Sequence, residues 1–308
     1  MITLINRRLF VVVILLVPLA VFSLLKKEEA PKKDLDYTRI NVRLKLSETG
    51  EIIELPLEEY LIGVVAAEMP ALFHEEALKA QAVASRSFAL SRMKGNKNFD
   101  VVDTTDSQAY ITKEKMQEKW GEDFAVYYEK IKNSVKATEN IVLIYDKEII
   151  TAYFFAMSNG YTENAELVFK EAKDYLQSVE SIWDNNSLRN YNFEVKFSRA
   201  EFCEKLVISC ANLIIAEPSR SESNRVLEIK INDKVFSGTD FRKILGLRST
   251  DFDIDIKSEK VYITTRGYGH GVGMSQYGAN GMASVGKNYQ EILKYYYRDV
   301  IIKNLKDV

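Results

Sequence analysis

The chain has 308 residues, with 42 Lys and Arg against 44 Asp and Glu, two His and two Cys. That length suits one large domain or two ordinary ones, and the net charge of −2 lacks the basic excess of a nucleic-acid binder. Two Cys exclude a disulfide-dense scaffold or a four-cysteine zinc site, and two His a histidine-rich metal centre.

Residues 9–25 are an uncharged run, LFVVVILLVPLAVFSLL, about 25 Å long as a helix and near the lower limit for spanning a bilayer. No small-x-small cleavage site follows, because Phe22, Leu24 and Leu25 occupy that region. The run is expected to be an uncleaved transmembrane anchor behind a cytoplasmic tail, residues 1–8. Lys26, Lys27, Lys32 and Lys33 come after it, so the positive-inside count does not favour this orientation, which rests on function. Residues 26–36, KKEEAPKKDLD, read as a solvated linker. Residues 37–308 are then expected to form one large extracytoplasmic domain, long enough for its own core.

Within it, residues 40–46 alternate as a half-buried strand, with residues 51–55 as hairpin partner across Glu48-Thr49-Gly50. Residues 57–69 have a helical pattern that Pro70 stops. Residues 75–94 predict an Ala-rich second helix, and residues 115–138 a third. Residues 141–144 and 149–155 read as strands joined at Asp146-Lys147. Ser198 to Glu201 has capping-box spacing before a helix at 202–206. Residues 226–231 and 261–264 are strand-like around a short helix at 240–245. Strands and helices mix without a βαβ rhythm, so the fold class is α+β.

Three segments carry groups suited to chemistry. In Val64-Val-Ala-Ala-Glu68-Met-Pro70 one carboxylate sits among small and apolar residues at a helix end. The helix dipole disfavours its ionised form by about 0.3–1 kcal/mol, or about 0.2–0.7 pKa unit. Desolvation would have to supply the rest of a useful shift. Glu68 is therefore either a general acid or a surface Glu beside a helix stop.

The second segment is Arg266-Gly-Tyr-Gly-His270-Gly-Val-Gly-Met-Ser275-Gln-Tyr-Gly278, which holds five of the 14 Gly. Val272 and Tyr277 stand where a dinucleotide fingerprint and a nucleophile elbow need Gly. A tight turn without ligand, a serine triad through Ser275 and His270, and a sugar-binding loop using His270, Ser275, Gln276 and Tyr277 all remain open. The third, Ser158-Asn159-Gly160, is first of all a turn signal. His74 reads as a solvent-facing residue, and the spacing of Cys203 and Cys210 leaves a disulfide undecided.

Taken together, LEEYLIGVVAAEMP (57–70), EEALKAQAVASRSFAL (75–90), DSQAY (106–110), SNGYTENAELVF (158–169), FSGTDFRKILGLRST (236–250) and RGYGHGVGMSQYGANGMA (266–283) resemble the stage II sporulation protein D family. The amidase-enhancer proteins of wall turnover are relatives of that family. The resemblance implies a lytic transglycosylase acting on peptidoglycan glycan strands from which stem peptides have been removed. It maps the catalytic Glu onto Glu68, and it implies that Gln81, Arg86, Ser158, His270, Ser275, Gln276 and Tyr277 line or support a groove. It further implies a cell-membrane location and two partners in forespore engulfment: a cell-wall amidase and a polytopic membrane protein. Some members bind zinc through His and Cys near the Gln-x-Tyr pair. Here residues 101–110 hold neither, so no metal or other cofactor is expected and other contacts must hold that loop. The alternatives are a non-catalytic glycan-binding activator of an amidase, and a serine hydrolase built on Ser275.

Overall fold

The computed structural model describes residues 40–93, 98–105, 107–184 and 191–308, which fall within one unit, Arg39–Val308. The tail, anchor and linker expected over residues 1–36 lie outside the described residues, as does Asp106. Among the described residues no helix is long and apolar enough to cross a membrane.

The N-terminal hairpin pairs β1 (Asn41–Lys45) with β2 (Ile52–Pro56), antiparallel. Helix α1 (Leu57–Glu68) follows without a loop and ends where Met69 turns extended ahead of Pro70. Helix α2 (Glu75–Arg92) begins at His74, whose Nδ1 accepts the Glu76 N–H; the exposed His74 is thus an N-cap. Strand β3 (Val101–Val102) runs parallel to β1.

The third helix expected from the sequence is two: α3 (Lys113–Trp120) and α4 (Phe124–Ala137). Gly121, with φ +52°, breaks the run. The β4 (Ile141–Tyr145) and β5 (Glu148–Ile149) hairpin turns through Asp146 and Lys147, both at positive φ. The strand expected over residues 149–155 survives only at its ends, β5 and β6 (Phe154–Phe155). In between the chain leaves one sheet for another, because β6 pairs with β13 (Met274–Ser275) rather than with β4.

After α5 (Ala165–Phe169) come β7 (Asn192–Ser198), α6 (Arg199–Leu206), β8 (Ser219–Arg220), β9 (Val226–Ile231), β10 (Lys234–Ser237) and α7 (Gly238–Leu245). The chain continues through β11 (Phe252–Lys257), β12 (Lys260–Arg266), β13, α8 (Gln276–Ser284), α9 (Tyr289–Tyr296) and β14 (Ile301–Asn304). The sheets β11-β12-β7 and β10-β9-β8 enclose their own apolar cluster with α6 and α7, where Phe241 stacks on Phe252 at 5.0 Å. Cys203 and Cys210 are bonded beside it. Among the described residues helices mix with five small sheets, the α+β class that the sequence implies.

Helix α2 is the axis of the remainder and packs against α1, α4, α8, α9 and β4. Its small residues Ala77, Ala80, Ala84 and Ser87 are fully buried, which lets neighbouring backbones approach closely. Arg86 is also fully buried. Its guanidinium donates to both Glu58 oxygens at 2.8 and 2.6 Å, and to the Ile141 carbonyl at 3.0 Å. One side chain thereby joins α1, α2 and β4. Arg86→Met keeps the length and removes the charge-assisted bonds, so unfolding by denaturant should show a loss of about 3 kcal/mol. A loss below about 1 kcal/mol would deny the pair that joining role.

Candidate active site

Glu68 is the last residue of α1 and the centre of the site. Its Oε1 accepts the Ala109 backbone N–H at 2.8 Å, and its Oε2 accepts the Gln276 amide at 3.0 Å. Burial pushes the carboxyl above its ordinary range, while those two donors pull the other way. Three segments far apart in sequence thus converge on one partly buried carboxyl.

The first donor is positioned by a web around residues 101–110. Val102 N–H reaches the Ser107 Oγ at 3.2 Å, and Asp103 accepts the Ser47 N–H at 2.8 Å. Gln108 is buried, accepts from the Tyr60 hydroxyl at 3.1 Å and donates to the Ser85 carbonyl. The Tyr110 ring stacks on Tyr60 at 5.7 Å. It crosses α1 at Gly63, where any Cβ would overlap the ring. These contacts hold the segment without His or Cys. Among the described residues no group of three or more His, Cys, Asp or Glu is arranged to hold a metal ion.

The second donor is positioned by Asp184, which the sequence reading did not pick out. Its buried carboxylate accepts from the Ser158 N–H and Oγ (2.9 and 2.8 Å), from the Ser181 hydroxyl, and from the Ser275 hydroxyl (2.7 Å). Burial raises its pKa and the serine hydroxyls lower it. Ser275 meanwhile caps α8 by accepting the Gly278 N–H at 3.1 Å. The cap fixes the start of the helix, and Gln276 is its first residue. Gly278 cannot carry a Cβ there, since one would collide with the Tyr296 hydroxyl and approach Asp184 Oδ2 at 2.7 Å.

Of the residues assigned to the groove, Glu68, Gln276 and Tyr277 line a common cleft of about 500 Å³. The Tyr277 ring is held edge-on by Phe73 at 4.9 Å. Gln81, Arg86, Ser158 and Ser275 are fully buried, so they support the scaffold and do not face the cleft. His270 is ringed by Tyr153, Phe155 and Phe169, and its Nδ1 accepts the Val272 N–H at 3.0 Å. His270 is half-buried, and desolvation lowers its pKa to about 3, which keeps the imidazole neutral. The Ser275 hydroxyl donates to Asp184 and not to His270, which leaves the serine-triad reading without its base. The cleft is completed by residues the sequence reading passed over: Leu72, Trp120, Tyr127, Arg248 and Tyr268. Among its described lining residues, Glu68 is the only carboxylate.

A raised pKa makes Glu68 a stability liability with a definite sign. As pH rises past the ordinary value of 4.5, the unfolded chain loses this proton first, so the folded state is penalised from there upward. Glu68→Gln removes the penalty, and the Gln276 amide can turn to offer its oxygen to the new NH₂ group. The Tm of Glu68→Gln should exceed that of the wild type near pH 7, with the gain vanishing near pH 4. A variant less stable near pH 7 would contradict the burial of this carboxyl.

Comparison with known proteins places the chain in a family. The family model described as Stage II sporulation protein matches residues 45–145, a span that includes Glu68 and Ala109. Stage II sporulation protein D of Bacillus amyloliquefaciens is 41% identical over 286 residues, 90% of this chain and 83% of that protein. Its counterpart in Bacillus subtilis (strain 168) is 43% identical over 252 residues, 79% of this chain and 73% of that one. The protein named Amidase enhancer of the same strain is 27% identical, over 77% of this chain and 39% of its own length. Two relatives above 40% identity, each covered over most of its length, show that this chain belongs to the stage II sporulation protein D family.

Proposed function

We propose that the chain is a lytic transglycosylase that cuts peptidoglycan glycan strands between N-acetylmuramic acid and N-acetylglucosamine. The observation that carries this is a desolvated carboxyl, the one carboxylate among the described lining residues, in an open cleft lined by Trp120, Tyr127, Tyr268 and Tyr277. Aromatic faces with polar edges suit sugar rings, which present apolar C–H faces and polar rims. Hydrolases of glycosides ordinarily use two carboxylates, one of them to activate water or attack the sugar. With one, the nucleophile is best supplied by the substrate. Protonated Glu68 donates to the glycosidic oxygen, which leaves as the 4-hydroxyl of N-acetylglucosamine. The muramic 6-hydroxyl closes on C1, and its proton passes to the Glu68 carboxylate. The product is a 1,6-anhydro end, no water is consumed, and the acid is regenerated. Ala109 N–H and the Gln276 amide hold the carboxyl in place and stabilise its ionised form between the two proton transfers.

The remainder of the reading follows from the family. Residues 9–25 anchor the protein in the cell membrane with the catalytic domain outside. An amidase supplies strands freed of stem peptides, and a polytopic membrane protein shares the engulfment machinery. The relative named Amidase enhancer favours a second reading, in which the same cleft binds glycan and activates an amidase without cutting.

Peptide-free glycan strands separate the two. The purified full chain should release fragments ending in the anhydro sugar, one water lighter by mass than a reducing end. Glu68→Gln should lower the rate by at least about 10²–10⁴-fold, the range of general acid catalysis, while strands still bind. Reducing ends would overturn the intramolecular route, and binding without any fragments would establish the activator reading.

A further inference from the structure

The cleft holds a cation that the chemistry above does not use. Arg248 lines it beside Tyr268, and its guanidinium carbon lies 3.5 Å from the Phe193 ring centroid and 5.3 Å from that of Tyr268. Stacking by the face leaves the in-plane N–H donors of a guanidinium free, and those donors match a carboxylate in two-point geometry. Arg86, Arg220 and Arg266 spend their donors on acidic side chains of this chain. Among the described residues Arg248 meets no carboxylate. Lys119, the other cation of the cleft, is turned aside, with its Nζ donating to the Ala66 carbonyl at 3.2 Å. Two aromatic rings therefore hold a preorganised guanidinium, unspent among the described residues, in a cleft whose one acidic group among its described lining must keep its proton.

We infer that Arg248 is a specificity residue that binds a carboxylate of the substrate: the free lactyl carboxylate of N-acetylmuramic acid. This inference rests on the glycan-strand reading. It explains how the cleft would tell a peptide-free muramic residue from one still carrying its stem peptide. In the free residue the lactyl group is an anion with two acceptor oxygens. In the substituted residue it is a neutral amide that offers one acceptor and adds bulk. A charge-assisted, two-point bond on a stacked guanidinium should then separate the two by about tenfold or more.

The test compares peptide-free strands whose lactyl carboxyls are either free or converted to methyl amides. Binding is measured on the full chain carrying Glu68→Gln, so that strands are not consumed. The free-acid strand should bind at least about tenfold more tightly. The ratio should collapse to about one when Arg248→Gln is added and take an intermediate value with Arg248→Lys, which keeps charge but not the two-point geometry. A ratio near one without an Arg248 substitution, or an unchanged ratio in either Arg248 variant, overturns the assignment. Cleavage of the free-acid strand by the wild type is followed in parallel. A preserved ratio without cleavage overturns the transglycosylase reading and leaves the carboxylate site standing. Cleavage with a ratio near one does the reverse, and binding of neither strand overturns both.

Discussion

The two N–H groups that meet on Glu68, one from the Ala109 backbone and one from the Gln276 side chain, are the contacts on which the rest of the site depends. Each favours the ionised carboxyl, and burial opposes both. The balance gives a group that keeps its proton at higher pH than an ordinary carboxylate and is still stabilised once the proton has gone. An acid that must donate and then recover a proton in one turnover needs both properties.

Holding those two donors explains much of the surrounding architecture. Ala109 is placed by Tyr110 lying across Gly63 and by buried Gln108 reaching Tyr60 and Ser85. Gln276 is placed by the Ser275 cap, which is itself fixed by Asp184. Asp184 also gathers Ser158 and Ser181, and Ser181 shares a hydrogen bond with the buried Tyr296 hydroxyl of α9. The polar knot at Asp184 and the stacked tyrosines at Gly63 are two rigid supports on either side of one flexible side chain. Arg86 adds a third support by keeping α1, α2 and β4 in register beneath it.

How much of this could be read from the sequence depends on the range of the interaction. The hairpin at residues 40–56 and helices α1 and α2 follow from local periodicity and from Pro70, and the sequence shows them well. Gly121 was visible but reads as an ordinary residue inside a helical pattern until its φ of +52° is known. The break in residues 149–155 reflects a change of sheet, which no local pattern encodes. Glu68 stood out by its apolar neighbours, and Gln276 and Tyr277 by the glycine-rich block. The same block suggested His270 and Ser275 as ligand groups; Tyr153, Phe155 and Phe169 pack against the first, which is half-buried, and Asp184 takes the second. Asp184 itself sits in an unremarkable polar stretch, and its role exists only through partners from residue 158 to residue 275. The aromatic wall and Arg248 likewise come from distant segments with no shared motif.

The central claim is that the fold keeps a proton on Glu68. It is tested most directly by following the side-chain carboxyl carbon of Glu68 in ¹³C-Glu-labelled protein by NMR through a pH titration, with Glu68→Gln supplying the assignment. The expected midpoint lies clearly above the ordinary carboxylate value of 4.5. A midpoint at or below that value would contradict it.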